Sequence, residues 1–206
     1  MKKETKLKFR SQFNPHAHFV KQLNAKLQSL GYTILTNTYQ QSWNYKDHDQ
    51  SWNQFHPIRS FIRYKPDILA LRNDQLFWLE AKTSGKSHQI YFPFTKFILS
   101  AVLAYLFELP IVWAYRDHEG WERAWKAAQH WNMIPMNLKV YVGANLEEHQ
   151  WKPEYDWVLS LISRAGFRIA PTVKSIEIRG SGTPFIALSK NKIKSLKPLD
   201  EFLGEL

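Results

Sequence analysis

Two apolar, β-rich runs joined by a short polar turn constrain this chain most. Residues 61–71 and 76–83 flank Arg72-Asn73-Asp74-Gln75, and Asn73-Asp74 suits the left-handed positions of a tight hairpin. A turn centred on that dipeptide sets Leu71 opposite Leu76 and Asp67 opposite Glu80. Side chains alternate faces along a strand, so Glu80 and Lys82 point the same way. Asp67, directly across from Glu80, shares their face. Two like charges opposed on a sheet are destabilising, and Ile68, Leu69, Phe77 and Leu79 around them add a desolvation cost. The pair therefore calls for positive charge, and a divalent cation is the compensation expected from the residue types. Lys82 stands beside it, placed to hold or activate a water or to neutralise a phosphate.

The flanking segments predict the rest of a mixed α/β architecture. Asn14 can cap a helix with Pro15 at its first position. Val20, Leu23, Leu27 and Leu30 share one face of it, and Gly31 stops it. A short strand is expected over 32–36, then a long polar loop over 37–58, a length that is usually functional. A helix apolar nearly all round is expected over 93–109 and an interior strand over 111–115. The stretch 97–115 is as long as a membrane span, but Glu108 and Pro110 divide it, so it reads as a buried helix and a buried strand. The order α, β, β-hairpin, α, β gives a mixed central sheet flanked by helices. Beyond it, helices are expected over 121–132 and 153–165. Strands are expected over 138–142, 167–173, 175–179 and 184–189, around Gly180-Ser181-Gly182. The expected division is a basic tail over 1–11, a core over 12–117, and an α/β elaboration or small accessory subdomain over 118–206.

Composition narrows the function. The 206 residues contain no cysteine, which excludes a disulfide scaffold, a thiolate metal site and a cysteine nucleophile, and fits a reducing, cytoplasmic setting. Lys plus Arg number 28 against 18 Asp plus Glu, a net charge of +10, which favours a polyanionic partner. Residues 1–117 carry 16 basic and 8 acidic side chains, a net +8, so phosphate contacts are expected in that half.

Pro66-Asp67, twelve intervening residues, and Glu80-Ala81-Lys82 resemble the motif of the PD-(D/E)XK nuclease superfamily. The helix, strand, motif hairpin, helix and strand over residues 12–117 are similar to that family's αβββαβ, restriction-endonuclease-like core. The resemblance implies that Asp67, Glu80 and the backbone carbonyl of Ala81 bind Mg²⁺, with Mn²⁺ able to substitute. It also implies that Lys82 is the catalytic lysine. The implied reaction is phosphodiester hydrolysis by a metal-activated water, leaving a 5′-phosphate and a 3′-hydroxyl. Many such nucleases draw a further acid from the first helix. Here residues 15–30 contain none, so Gln22, Asn24, Asp47, Asp49 or water is left to serve.

The expected partner is DNA, with RNA left open and no membrane. Size and charge suit a junction- or branch-cutting endonuclease in the manner of Holliday junction resolvases, or a restriction-like or mobile-element enzyme. Cutting two strands calls for a homodimer, to which the apolar helix 93–109 could contribute. Lys86, Gln89 and Lys96 are candidate phosphate contacts. In the loop, Trp43, Tyr45, Trp52, Phe55 and His56 precede Arg59, Arg63 and Lys65. Those rings can stack on bases, with the basic residues on the backbone, or can pin the loop to the domain. Lys190, Lys192, Lys194 and Lys197 either add attraction or form a solvated tail. His16 and His18 have no partner set at ligand spacing. Gly85-Lys86-Ser87 lacks the earlier glycine of a phosphate-binding loop. The rival reading is a non-catalytic nucleic-acid-binding module using the same basic and aromatic surface.

Overall fold

The computed structural model describes residues 2–37, 57, 65–176 and 184–206, and for 2–14, 36 and 37 the backbone path only. The first helix, α1, is Lys2–Ser29. It starts well before the expected Asn14 and runs through Pro15. A proline removes one i→i−4 bond, and here that loss does not end the helix. Gly31, with φ 84°, turns the chain into β1, Thr33–Asn37.

The hairpin forms as expected. β2 is Ile68–Arg72 and β3 is Gln75–Thr83. Asn73 and Asp74 have φ of 49° and 60°, the paired left-handed conformation of a type I′ turn. Leu71 pairs with Leu76 and Ile68 with Leu79. The chain then forms β4, Gln89–Pro93, which was not anticipated, and enters α2, Phe94–Leu106. β5, Ile111–Arg116, returns parallel to β3, and β6, Glu122–Lys126, pairs antiparallel with β5.

β6 corrects the helix expected over 121–132. Trp121, Trp125 and Ala128 have helical spacing, but Asp117 and Gly120 build a tight turn that outweighs it. Asp117 Oδ1 accepts the Glu119 N–H at 2.7 Å, and Gly120 has φ 89°. Trp125 then points to one face and Ala124 to the other, both buried. Only a 3₁₀ turn over Ala127–Gln129 and α3, His130–Met133, remain helical there.

The rest comprises β7, Lys139–Gly143; α4, Glu148–Arg164; β8, Thr172–Ile176; β9, Phe185–Ser189; α5, Lys190–Lys194; and α6, Leu199–Gly204. The first sheet has the order β1-β2-β3-β5-β6 and the second β4-β9-β7-β8. The architecture is therefore mixed α/β, two mixed sheets with helices against them. Neither sheet respects residue 117: β6 joins the first and β4 the second.

The two faces of the first sheet are both buried, which is why β5 reads as an unbroken apolar run. One face carries Leu79, Ala81, Val112 and Ala114 against Phe19, Val20, Leu23 and Leu27 of α1 and Leu199, Phe202 and Leu203 of α6. The other carries Trp113 and Tyr115 into an aromatic core with Phe92, Phe97 and Trp125, which extends to the second sheet. No helix among the described residues is long and apolar enough to cross a membrane.

A buried ion pair ties the sheets together. Lys190 Nζ, just after β9, lies 2.5 Å from Asp117 Oδ2 and donates to the Gly85 carbonyl at 2.9 Å. The Asp117 side chain is 1% exposed. Lys190 is therefore an internal brace rather than part of a solvated tail, whereas Lys197 makes an exposed surface pair with Glu205 at 2.6 Å. Removing one partner of a buried pair leaves an uncompensated charge. Lys190→Met should lower unfolding free energy by about 3 kcal/mol in urea titrations, whereas Lys194→Met, on the exposed side of α5, should leave it within about 0.5 kcal/mol.

Candidate active site

The hairpin register carries the two acids to one place. Extending the Ile68–Leu79 pairing by one residue sets Asp67 opposite Glu80, and by two sets Pro66 opposite Ala81. Asp67 Oδ2 accepts the Ala81 N–H at 2.9 Å, so the side chain takes a ladder position that backbone would otherwise fill. In an antiparallel pair the N–H and C=O of one residue face the same neighbour. The Ala81 carbonyl therefore faces Pro66, which has no N–H to give it.

Glu80 and Lys82 project to the face of Trp113 and Tyr115, their partners on β5. The α2 helix lies over this face, and Lys96 in its first turn reaches Glu80 Oε2 at 2.5 Å. A cation in a helix's first turn opposes the helix dipole, so this position is set by Glu80 rather than by helix preference. The Lys82 ammonium lies 5.8 Å from the Phe92 ring centroid. His16 Nε2, on α1, lies 3.8 Å from Asp67 Oδ2. Beside Glu80 and Lys96 a cavity of about 40 Å³ opens between Lys65, Pro66, Trp78 and Trp113, room for about three waters.

Burial and proximity set the charge states. Burial, and then the neighbouring Asp67 charge, push the Glu80 carboxyl up to about 8, with Lys96 offsetting part of the rise. Burial alone would raise Asp67 too, but the His16 hydrogen bond, the Lys96 charge and the Ala81 N–H together hold it below the usual range. Burial lowers the Lys82 pKa, and the Lys96 charge adds to that, against the pull of Glu80 and Asp67. For Lys96 the two carboxylates outweigh burial, and its pKa rises.

The donor set fits a hard divalent cation. Asp67, Glu80 and the Ala81 carbonyl are all oxygens, and a buried acid held near 8 is one whose ionised form lacks full compensation. The expectation that a divalent cation compensates the pair is corrected in part, because Lys96, His16 and the Ala81 N–H already share that task. Among the described residues, the group of three acids or histidines whose ligand atoms all lie within 4.8 Å of one another is a different one, Asp117, His118 and Glu119. There the Lys190 ammonium already sits on Asp117.

The other candidates are distributed as follows. Lys96 and Lys65 join the cluster, Lys96 as an ion-pair partner rather than a surface contact. Lys86 and Gln89 are exposed on the segment beyond β3. Gln22 accepts a hydrogen bond from Arg116. Trp43, Trp52, Arg59, Arg63, Asp47 and Asp49 lie outside the described residues. Sequence reasoning set His16 aside for want of a partner set at ligand spacing, although it stands three and four residues before Phe19 and Val20, on the helix face that meets the sheet.

Glu80 gives the cation-free protein a defined pH response. Its pKa is about 8 folded against about 4.3 in an unfolded chain. Its stabilising contribution is therefore complete below about 4.3 and lost as pH rises through 8. In EDTA, urea midpoints should fall over that window by an amount worth a few kcal/mol, and Glu80→Gln should flatten the fall.

No protein-family model and no curated protein matches the chain. Among solved structures it is similar to Hjc of Archaeoglobus fulgidus, a Holliday junction resolvase from an archaeal hyperthermophile. The identity is 12%, the match covers 92% of this chain and 96% of that one, and the TM-score is 0.44.

Proposed function

We propose that this chain is a divalent-metal-dependent nuclease of the PD-(D/E)XK type that hydrolyses DNA phosphodiester bonds, acting as an endonuclease on branched or duplex DNA. The observation that carries the proposal is the meeting of Asp67, Glu80, the Ala81 carbonyl and Lys82 at one end of the β2–β3 hairpin, in a register that also turns Lys96 onto the acids. A cation held by Asp67, Glu80 and the Ala81 carbonyl supplies positive charge to the phosphate and lowers the pKa of a nearby water.

The chain's own groups do the rest. Burial favours the neutral amine of Lys82, and a neutral Nζ can take the proton that an attacking water gives up. Lys96 holds the Glu80 carboxylate in position. Lys65, on the rim of the adjoining cavity, is placed to meet a phosphate oxygen. The net +8 of residues 1–117 supports attraction of a polyanion.

A homodimer suits cleavage of two strands. The α2 helix offers little for it along most of its length, because Phe94, Phe97, Ile98, Ala101 and Val102 are buried within the chain. Tyr105, Leu106 and Phe107 at its end are exposed, and they are the apolar surface this helix offers for self-association.

With Mg²⁺ or Mn²⁺, the wild type should cut at least one of four-way, flap, duplex and single-stranded DNA, and EDTA should stop it. Lys82→Ala and Asp67→Ala should each reduce cutting by roughly 10²–10⁴-fold with circular dichroism unchanged. A wild type that shifts DNA in gels but cuts none of these substrates is the basic and aromatic binding module instead.

A further inference from the structure

We infer that the cavity beside Glu80 holds an unpaired nucleobase of the substrate, stacked against Trp78, and that cutting is thereby directed to phosphates next to unpaired nucleotides rather than to continuous duplex. The inference rests on the nuclease reading above and adds to it the class of DNA the site takes.

The cavity lies on the strand face that carries the acids. Side chains alternate along β3, so Trp78, Glu80 and Lys82 share one face, and Trp78 stands two residues, about 6.7 Å, from Glu80. Its cross-strand partners are Leu69 on β2, which is half-buried, and Ile111 on β5. Leu99 and Leu103 of α2 and the buried Trp113 complete an apolar lining. Lys65 and Lys96 also line the cavity. Lys96 pairs with Glu80 and Lys65 precedes Asp67 by two residues, so both cations lie towards the acids.

A nucleotide has the same division, a flat ring with apolar faces joined to an anionic phosphate. The Ser100 hydroxyl in the lining donates to the Phe97 carbonyl at 2.9 Å and accepts from Trp113 Nε1 at 3.2 Å, which leaves it little to offer a water. Displacing weakly held water by an apolar group gains affinity. The three waters for which the cavity has room correspond to roughly 90 Å³ of liquid, the scale of one base ring. Aromatic side chains hold bases by stacking, whichever base is present. A base within a duplex is already stacked on both faces and must be turned out at a cost, which is least where the strand is unpaired. A flap, or the open centre of a branch, supplies such a base beside a phosphate.

The test uses the full chain and flap DNAs in which each unpaired nucleotide near the branch is replaced in turn by an abasic sugar. Binding is read by fluorescence anisotropy in EDTA, so no cutting is needed. At one position the normal base should bind at least about fivefold more tightly than the abasic sugar. Trp78→Ala, which removes the stacking face, and Leu103→Trp, which fills the cavity, should each bring that ratio to about one with circular dichroism unchanged. In the wild type, 5-iodouracil at the same position should photo-crosslink to Trp78 or Trp113, as peptide mass spectrometry reads it. A crosslink mapping outside the cavity, or a ratio that persists in folded Trp78→Ala and Leu103→Trp, overturns the inference. Equal binding of base and abasic DNA at every position, an absence of binding included, also overturns it. In that case cutting with Mg²⁺ or Mn²⁺ keeps the nuclease reading, and its absence ends that reading as well.

Discussion

Two carboxylates face each other across a tight hairpin, and the surrounding structure answers their repulsion. Lys96 stays in the unfavourable field of a helix start to sit on Glu80. Asp67 takes the Ala81 N–H in place of a backbone partner, and His16 comes down from α1 to the same carboxylate. Even so, Glu80 remains held well above its ordinary titration range. A buried acid whose ionised form is only partly compensated is costly, and strongly shifted groups of this kind cluster at functional sites.

The fold positions this cluster through burial on both faces of the first sheet. On one side α1 packs by an apolar stripe that ends at His16. On the other, α2 is buried by the aromatic core, which fixes Lys96 in its first turn. The Asp117–Lys190 pair then locks the loop after β3 to the second sheet, close to the strand that carries Lys82. Loosening either helix would move a charged group of the site, so packing and site electrostatics are coupled.

The hairpin, its register and the meeting of Asp67 with Glu80 were legible because two-residue periodicity and turn chemistry are local. The buried helix and the interior strand after it were legible for the same reason. Other features were hidden because they depend on distant segments. β4 is a strand only by pairing with β9, nearly a hundred residues on. β6 has helical spacing of its large side chains and is a strand because of the turn at Asp117. Lys96 read as a surface contact because nothing local shows that its neighbour is a buried acid. His16 was visible in principle from the helix face it shares with Phe19 and Val20, but that face had to be set against the right strand.

The most direct measurement is an anomalous-difference map from crystals of the wild type grown with Mn²⁺. The account predicts a peak within bonding distance of Asp67, Glu80 and the Ala81 carbonyl. No peak there, or a peak confined to Asp117, His118 and Glu119, would contradict it.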